Sequence, residues 1–317
     1  MGIVVLNWRN YSATERCLRS LEAVTEPRCT IYLIDNDSGD GSMDRLEGEL
    51  KDPRIVFLRN ASNLGFAAGC NPGIRRALDD GCDYVLLLNN DCVVIEPGFL
   101  ARAVELAEQH PRCGIVGGKI LYWPDTHIIW STGGFIRFWG GETHIGHREE
   151  DRGQYEQVAR RSFISGALML VKREVFSGVG LLPEAYFFGK EEWEFSIRAL
   201  RSGYTLLYHP RVRIAHVAGD SHEGTDATYV YNGTLSRILY KRRNMSRPAY
   251  ALWWLVHAAY LRIVMPLRYR LSPQIFVKGV PFERIQQASL AAVRDAAHAD
   301  KVTLEMLDRF RSSLGGT

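Results

Sequence analysis

Tyr84-Val85-Leu86-Leu87-Leu88-Asn89-Asn90-Asp91 reads as a strongly apolar strand that ends in polar oxygen groups. Outward from it, the first 120 residues alternate short apolar runs with segments of helical period, the signature of a mostly parallel sheet covered by helices. Ile3 to Leu6, Ile31 to Ile34, Ile55 to Leu58 and Gly114 to Ile120 are the other strand candidates. Ser12 to Glu15 has the form of a capping box ahead of Leu18, Leu21 and Val24. Met43, Leu46 and Leu50 mark a second helix, and Leu100, Ala103, Val104 and Ala107 mark another. Asn71-Pro72 sets a capping residue before a first-turn proline. Loops after the strands lie where open α/β sheets bind ligands.

Periodicity weakens from Tyr122 to Arg161, where loops with short strands are expected. It returns with Gly166 to Val171 as a buried strand and Glu191 to Ser202 as a helix closed by Gly203. Leu206 to Tyr208 and Val212 to Ala215 read as two short strands, and beyond Thr225 the chain becomes helical, basic and aromatic. The expected division is 1–120, 121–225 and 226–317.

The chain has 317 residues, 24% charged and 46% hydrophobic, which excludes both disorder and a disulfide-stapled miniprotein. A net charge of +3 does not by itself point to nucleic acid. Six cysteines show no zinc spacing and read as reduced, buried thiols of a cytoplasmic protein. Met1-Gly2 runs straight into Ile3, so no signal peptide is expected. Ala249 to Met265, interrupted by His257 and Arg262 and edged by prolines, reads as too short and too polar to span a bilayer.

Several segments carry groups able to do chemistry. Asp35-Asn36-Asp37-Ser38 can read a nucleobase edge or merely cap the next helix. The small residues from Asn63 through Gly65 to Asn71 let a backbone approach a phosphate-bearing ligand, or form a plain turn. Neither they nor Leu6-Asn7-Trp8 match the glycine fingerprint of a dinucleotide-binding dehydrogenase. Asp91 can hold a hard divalent cation shared with substrate phosphates. Glu191, Glu192 and Glu194 open a helix, where they complement its dipole; Glu194 also faces Arg198 at i, i+4, while Glu191 or Glu192 can serve as a general base. Trp193, Ile197 and Leu200 are expected on the buried face of that helix. His216 precedes a turn that carries Gly219, Ser221 and His222.

In this order, the segments resemble the inverting family-2 glycosyltransferases of GT-A fold, in their rhamnosyltransferase-like branch, from residue 2 to residue 245. The resemblance implies an α/β, Rossmann-like, mostly parallel central sheet flanked by helices, with a helical C-terminal extension. It assigns Leu6, Asn7, Trp8, Asp35 and Asn36 to the nucleotide, and Asn63, Gly65, Asn71, Asn89 and Asn90 to the donor's surroundings. Asn89-Asn90-Asp91 stands where the family has Asp-x-Asp, so Asp91 alone supplies a carboxylate, and His216 completes a site for Mg or Mn. Glu191-Glu192 stands where the family has Glu-Asp, which makes Glu192 the base; Gly166 and Trp193 fall on the acceptor side. The implied reaction is a single displacement from dTDP-rhamnose, or next a UDP-sugar, onto a glycan or polyprenyl-diphosphate-linked acceptor. Competing readings are a non-catalytic nucleotide-sugar or glycan binder and a sugar-phosphate nucleotidyltransferase.

From Arg237 to Arg270 the chain interleaves basic residues with Tyr250, Trp253, Trp254 and Tyr260. That composition suits peripheral attachment to an anionic membrane surface, at the inner face of the cell membrane. Packing onto the catalytic domain, or a homodimer contact, is the alternative, and RNA contact lacks a recognition motif.

Overall fold

The apolar segments at the head of the chain form the strands they predict. β1 (Gly2–Asn7) is followed by α1 (Tyr11–Leu21), β2 (Thr30–Asp35) by α2 (Ser42–Glu49), and β3 (Ile55–Arg59) by α3 (Phe66–Asp79), before β4 (Tyr84–Leu88). These four strands are mutually parallel in the order β4-β1-β2-β3. All five residues of β4 are buried because the strand lies between β1 and β11 (Leu168–Lys172).

The computed structural model describes residues 1–24, 28–137, 142–217, 226–271 and 280–314. They fall into two units: the first holds Met1–Asn63, Ala68–Leu182 and Phe195–Ser221, and the second Leu64–Ala67, Pro183–Glu194 and His222–Thr317. In the first unit the sheet continues past β4 through β5 (Cys92–Val94), β6 (Cys113–Tyr122), β7 (Ile129–Ser131), β10 (Ala159–Arg161) and β12 (Thr205–His216). Its order is β10-β12-β6-β11-β4-β1-β2-β3, with β5 on β12 and β7 on β6. β11 is antiparallel to both its neighbours, so the sheet is parallel at one side and mixed at the other. A separate ribbon pairs β8 (Gly134–Ile136) with β9 (Glu142–His144). The core gathers Ile3, Val5, Leu33, Leu86, Phe99, Leu170 and Ile214, and α4 (Phe99–Gln109) and α5 (Arg173–Val179) complete this unit's helical cover. All six cysteines are buried, free thiols.

Several local expectations change. Asn10, not Ser12, caps α1, its side chain accepting from the Ala13 N–H at 3.2 Å. Asn71 and Pro72 lie inside α3, because Ala67 and Ala68, good helix formers, extend it back to Phe66. Gly166 sits in the turn ahead of β11 and not within the strand. The two short strands after Gly203 are one, β12, whose register with β6 slips between His209 and Arg213; Pro210, lacking an N–H, falls in that slip. In α6 (Glu191–Arg201) the buried positions include Glu191, Phe195 and Ala199, four apart, while Ile197 and Leu200 are only half-buried.

The second unit is helical: α7 (Ala227–Asn244), α8 (Arg247–Ala259), a π-helical turn (Tyr260–Val264), α9 (Met265–Leu271), α10 (Phe282–Asp295) and α11 (Leu304–Leu314). Asp226 caps α7 through the Tyr229 N–H at 3.0 Å. Tyr231 stacks on Phe310 with ring centroids 4.6 Å apart and donates to Asp295 at 2.6 Å, tying three helices together. Arg247–Leu271 is one continuous helix of 25 residues, long and apolar enough to cross a membrane by length and composition, which the sequence reading did not expect. Its prolines fail to end it: Pro248 sits in the first turn, where its missing N–H is no loss, and Pro266 follows the wider π turn.

Candidate functional site

Parallel register places Asn7 at the end of β1 opposite Asp35 at the end of β2, so two polar side chains meet at the carboxyl edge of the sheet. The buried Asn7 amide nitrogen lies 3.1 Å from Asp35 Oδ1 and 3.0 Å from Ser42 Oγ, and its oxygen accepts from Thr14 Oγ1 at 2.8 Å. Asn90 in turn donates to Thr14 Oγ1 at 2.8 Å. Ser38 closes the loop by donating through Oγ to Asp35 at 2.5 Å and through its N–H at 3.2 Å. Asp35 therefore commits its carboxylate to holding the loop's shape. Next to it, Asn36 donates to Asn63 at 2.8 Å and accepts from Asn60 at 3.0 Å. Trp8 carries the opposite property: the residue is 39% exposed, with the Arg9 guanidinium 5.4 Å from its ring centroid.

Asp91 and His216 come together because β5 pairs with β12, which sets His216 opposite Cys92. Both side chains are buried, and His216 Nε2 lies 2.9 Å from Asp91 Oδ1. Neither His216 ring nitrogen has a hydrogen-bond partner among the described residues, so the 2.9 Å approach lacks hydrogen-bond alignment. A carboxylate oxygen and an imidazole nitrogen this close fit a divalent cation of the Mg or Mn type. Cys92 joins the cluster within 4.8 Å, but burial holds its thiol protonated and it donates to the Ala167 carbonyl at 3.4 Å. Asn89 Oδ1, at the end of β4, is buried without a hydrogen-bond partner among the described residues. Trp130, from the stretch without periodicity, packs edge-on against His216 at 4.6 Å; no sequence signal marks it. Gly219, Ser221 and His222 lie outside the described residues.

The small-residue segment makes close contacts within the protein itself. Gly65 has φ +79°, and a Cβ there would lie 2.2 Å from the Phe187 carbonyl oxygen, which accepts from the Phe66 N–H at 2.8 Å. The close approach that its missing side chain permits is thus to the protein's own backbone in the second unit. Gly65→Ala is expected to destabilise the protein by about 2–4 kcal/mol in chemical denaturation, since strain and overlap add. A change within about 0.5 kcal/mol, the range of an ordinary surface substitution, would show that the contact does not hold. Gly69 serves the first unit, where a Cβ would meet both Asn36 and Leu6 at 3.0 Å. Asn71 is buried and exchanges two hydrogen bonds with the Leu182 backbone, at 3.1 and 3.2 Å, so its amide is committed to tethering the chain.

In the second unit, Glu191 is 4% exposed, and its carboxyl is pushed up to about 8, first by burial and then by the neighbouring Glu192 charge. Glu192 is half-buried. Glu194 accepts from Arg243 Nη2 at 2.9 Å and from the Tyr186 hydroxyl at 2.5 Å, a partner set that makes it structural. Arg243 was visible in sequence only as one of a basic run. Trp193 is 5% exposed, edge-on to Tyr240 at 5.9 Å, with Lys190 Nζ 3.6 Å from its centroid. That burial suits packing more than acceptor contact. The first unit thus brings together Leu6, Asn7, Asp35, Asn36, Asn63, Asn90, Asp91 and His216, while Gly65, Glu191, Glu192 and Trp193 belong to the second.

Comparison with known proteins adds four findings. The model of Glycosyl transferase family 2 matches residues 3–180. An uncharacterized protein, y4gI, of Sinorhizobium fredii is 31% identical over 205 residues, covering 61% of this chain and 22% of its own length. The N-acetylglucosaminyl-diphospho-decaprenol L-rhamnosyltransferase of Mycobacterium tuberculosis is 27% identical over 237 residues, 68% of this chain and 75% of that one. Among solved structures, the mannosyltransferase PcManGT from Pyrobaculum calidifontis, in complex with GDP-Man and Mn2+, superposes with a TM-score of 0.55 at 15% identity, covering 99% of this chain and 79% of the other. The shared architecture is the GT-A fold.

Proposed function

Because this chain belongs to the family-2 glycosyltransferases, we propose that it transfers L-rhamnose from dTDP-rhamnose, with inversion, to a hydroxyl of a polyprenyl-diphosphate-linked glycan. The sugar and the lipid-linked acceptor are supported by the mycobacterial relative, whose name carries both. The observation that carries the chemistry is the buried Asp91–His216 pair at the carboxyl end of the sheet, 2.9 Å apart.

In this reading the exposed Trp8 ring stacks on the nucleobase while Asn7 and Asp35 hold the loop beneath it. Asp91 and His216 would hold Mg or Mn, which when bound supplies positive charge to offset the negative charge growing on the departing diphosphate. Asn89 adds a neutral oxygen at the same strand end. Glu192 takes the proton from the attacking hydroxyl, and the hydroxyl oxygen bonds to the anomeric carbon as the bond to the diphosphate breaks. Glu191, held protonated near neutral pH, leaves that role to its neighbour.

Thermal shift with a panel of nucleotide sugars, with and without Mn2+, tests the reading, since a ligand that binds the native state raises the unfolding temperature. The expected result is the largest rise with dTDP-rhamnose plus Mn2+, and dTDP release once acceptor is added. Stabilisation without any nucleotide release would favour a glycan-binding protein, and pyrophosphate release from a sugar phosphate and a nucleoside triphosphate would favour a nucleotidyltransferase.

A further inference from the structure

Helix Arg247–Leu271 uses its two faces differently. Trp253, His257, Leu261 and Met265, four residues apart, are buried, and Leu261 and Met265 pack with Ile285 of α10. On the other side, Leu252, Leu255, Val256, Ile263, Leu267 and Leu271 are 50–73% exposed. With Val264, this one helix supplies seven of the fourteen exposed large apolar side chains among the described residues. Soluble surfaces rarely concentrate apolar area in this way without a partner.

Charge selects the partner. Between Asp226 and Glu283 the sequence holds nine basic residues and no acidic one. Arg247, Arg262, Arg268 and Arg270 are exposed along the helix itself. A second copy docked through the same face would set these arginines against their own equivalents, with no carboxylate in the segment to answer them. An anionic lipid surface answers both features, taking the leucines among its acyl chains and the guanidinium groups at its headgroups.

We propose that helix Arg247–Leu271 lies in the plane of an anionic bilayer, with Leu252, Leu255, Val256, Ile263, Leu267 and Leu271 inserted. A spanning orientation would strip Leu261 and Met265 from Ile285 and carry Arg262 into the hydrocarbon. The aromatic anchors read from the sequence take a smaller part: Trp253 is only 5% exposed and stacks on His257 at 4.6 Å. Membrane docking is independent of the transfer chemistry, and its test uses no activity readout.

The test is cosedimentation of the full chain with vesicles of phosphatidylcholine alone or mixed with phosphatidylglycerol. Binding is expected to be at least about tenfold stronger to the mixed vesicles and to weaken as salt is raised. The Leu255→Glu/Ile263→Glu double variant should lose binding about tenfold or more with an unchanged unfolding temperature, since both side chains are exposed. Equal binding to both vesicles, or undiminished binding by the folded double variant, overturns the proposal. So does a concentration-dependent dimer that the double variant abolishes, which would make a second copy the occupant. Retention in membranes after salt and carbonate washing, with release only by detergent, would make the helix a span.

Discussion

Asp91→Ala is expected to lower the rate of sugar transfer by at least about a thousandfold while leaving a folded protein. Two features make the effect large. Asn89 and Asn90 are neutral, so Asp91 is the only carboxylate at the end of β4. It is also 1% exposed, a setting in which charge acts with little screening. Asp91→Asn is the sharper probe, because it keeps the shape beside His216 and removes only the charge. Rates of nucleoside diphosphate release against Mn2+ concentration should show both variants insensitive to the cation, and a chelator should bring the native protein to the same floor. Near-native turnover by Asp91→Asn at ordinary Mn2+ would remove the cation role assigned to the Asp91–His216 pair.

The second large effect distinguishes two adjacent glutamates. Glu192→Gln should reduce turnover by about a hundredfold to ten-thousandfold with donor affinity retained, the range expected for loss of a general base. Glu191→Gln should retain most of the activity, since glutamine resembles the protonated carboxyl that Glu191 already carries near neutrality. Its signature lies in stability. The ordinary value of 4.5 is raised to about 8 in the folded chain, so between those limits the unfolded state loses its proton first and native stability falls as pH rises. Glu191→Gln removes that fall. Its advantage over the native chain should be absent below pH 4.5 and grow to about 5 kcal/mol above pH 8, read from denaturant midpoints at several pH values. Loss of donor affinity in Glu192→Gln, or a pH-independent difference for Glu191→Gln, would reverse these assignments.

What could be read from the sequence follows the range of the interactions involved. The five apolar residues of β4, and the runs that become β1 to β3, were legible because burial on a sheet leaves its mark on consecutive residues. Asp91 and His216 were legible as types, but their meeting depends on the pairing of β5 with β12, 125 positions apart, which no local pattern encodes. Gly65 and Asn71 were legible as special, but their contacts were not, since Phe187 and Leu182 come from distant sequence. The cap of α1 was misplaced by two residues because Asn10 and Ser12 are both competent, and only backbone geometry separates them. Pro266 edges the apolar stretch in sequence, yet the helix continues past it to Leu271 after the π turn.

The string of hydrogen bonds from Asp35 through Asn7 and Thr14 to Asn90 joins the end of β2 to the residue beside Asp91. Each link polarises the next and each is satisfied only while its neighbours stay in place. Energetic contributions of Asp35 and Asn90 are therefore expected to be non-additive, and under the proposed donor reading a base share and a phosphate share of affinity would not separate along this edge. Under the proposed donor reading, whatever grips one end would preorganise the other, so the two halves of a donor would be felt as a single cooperative event.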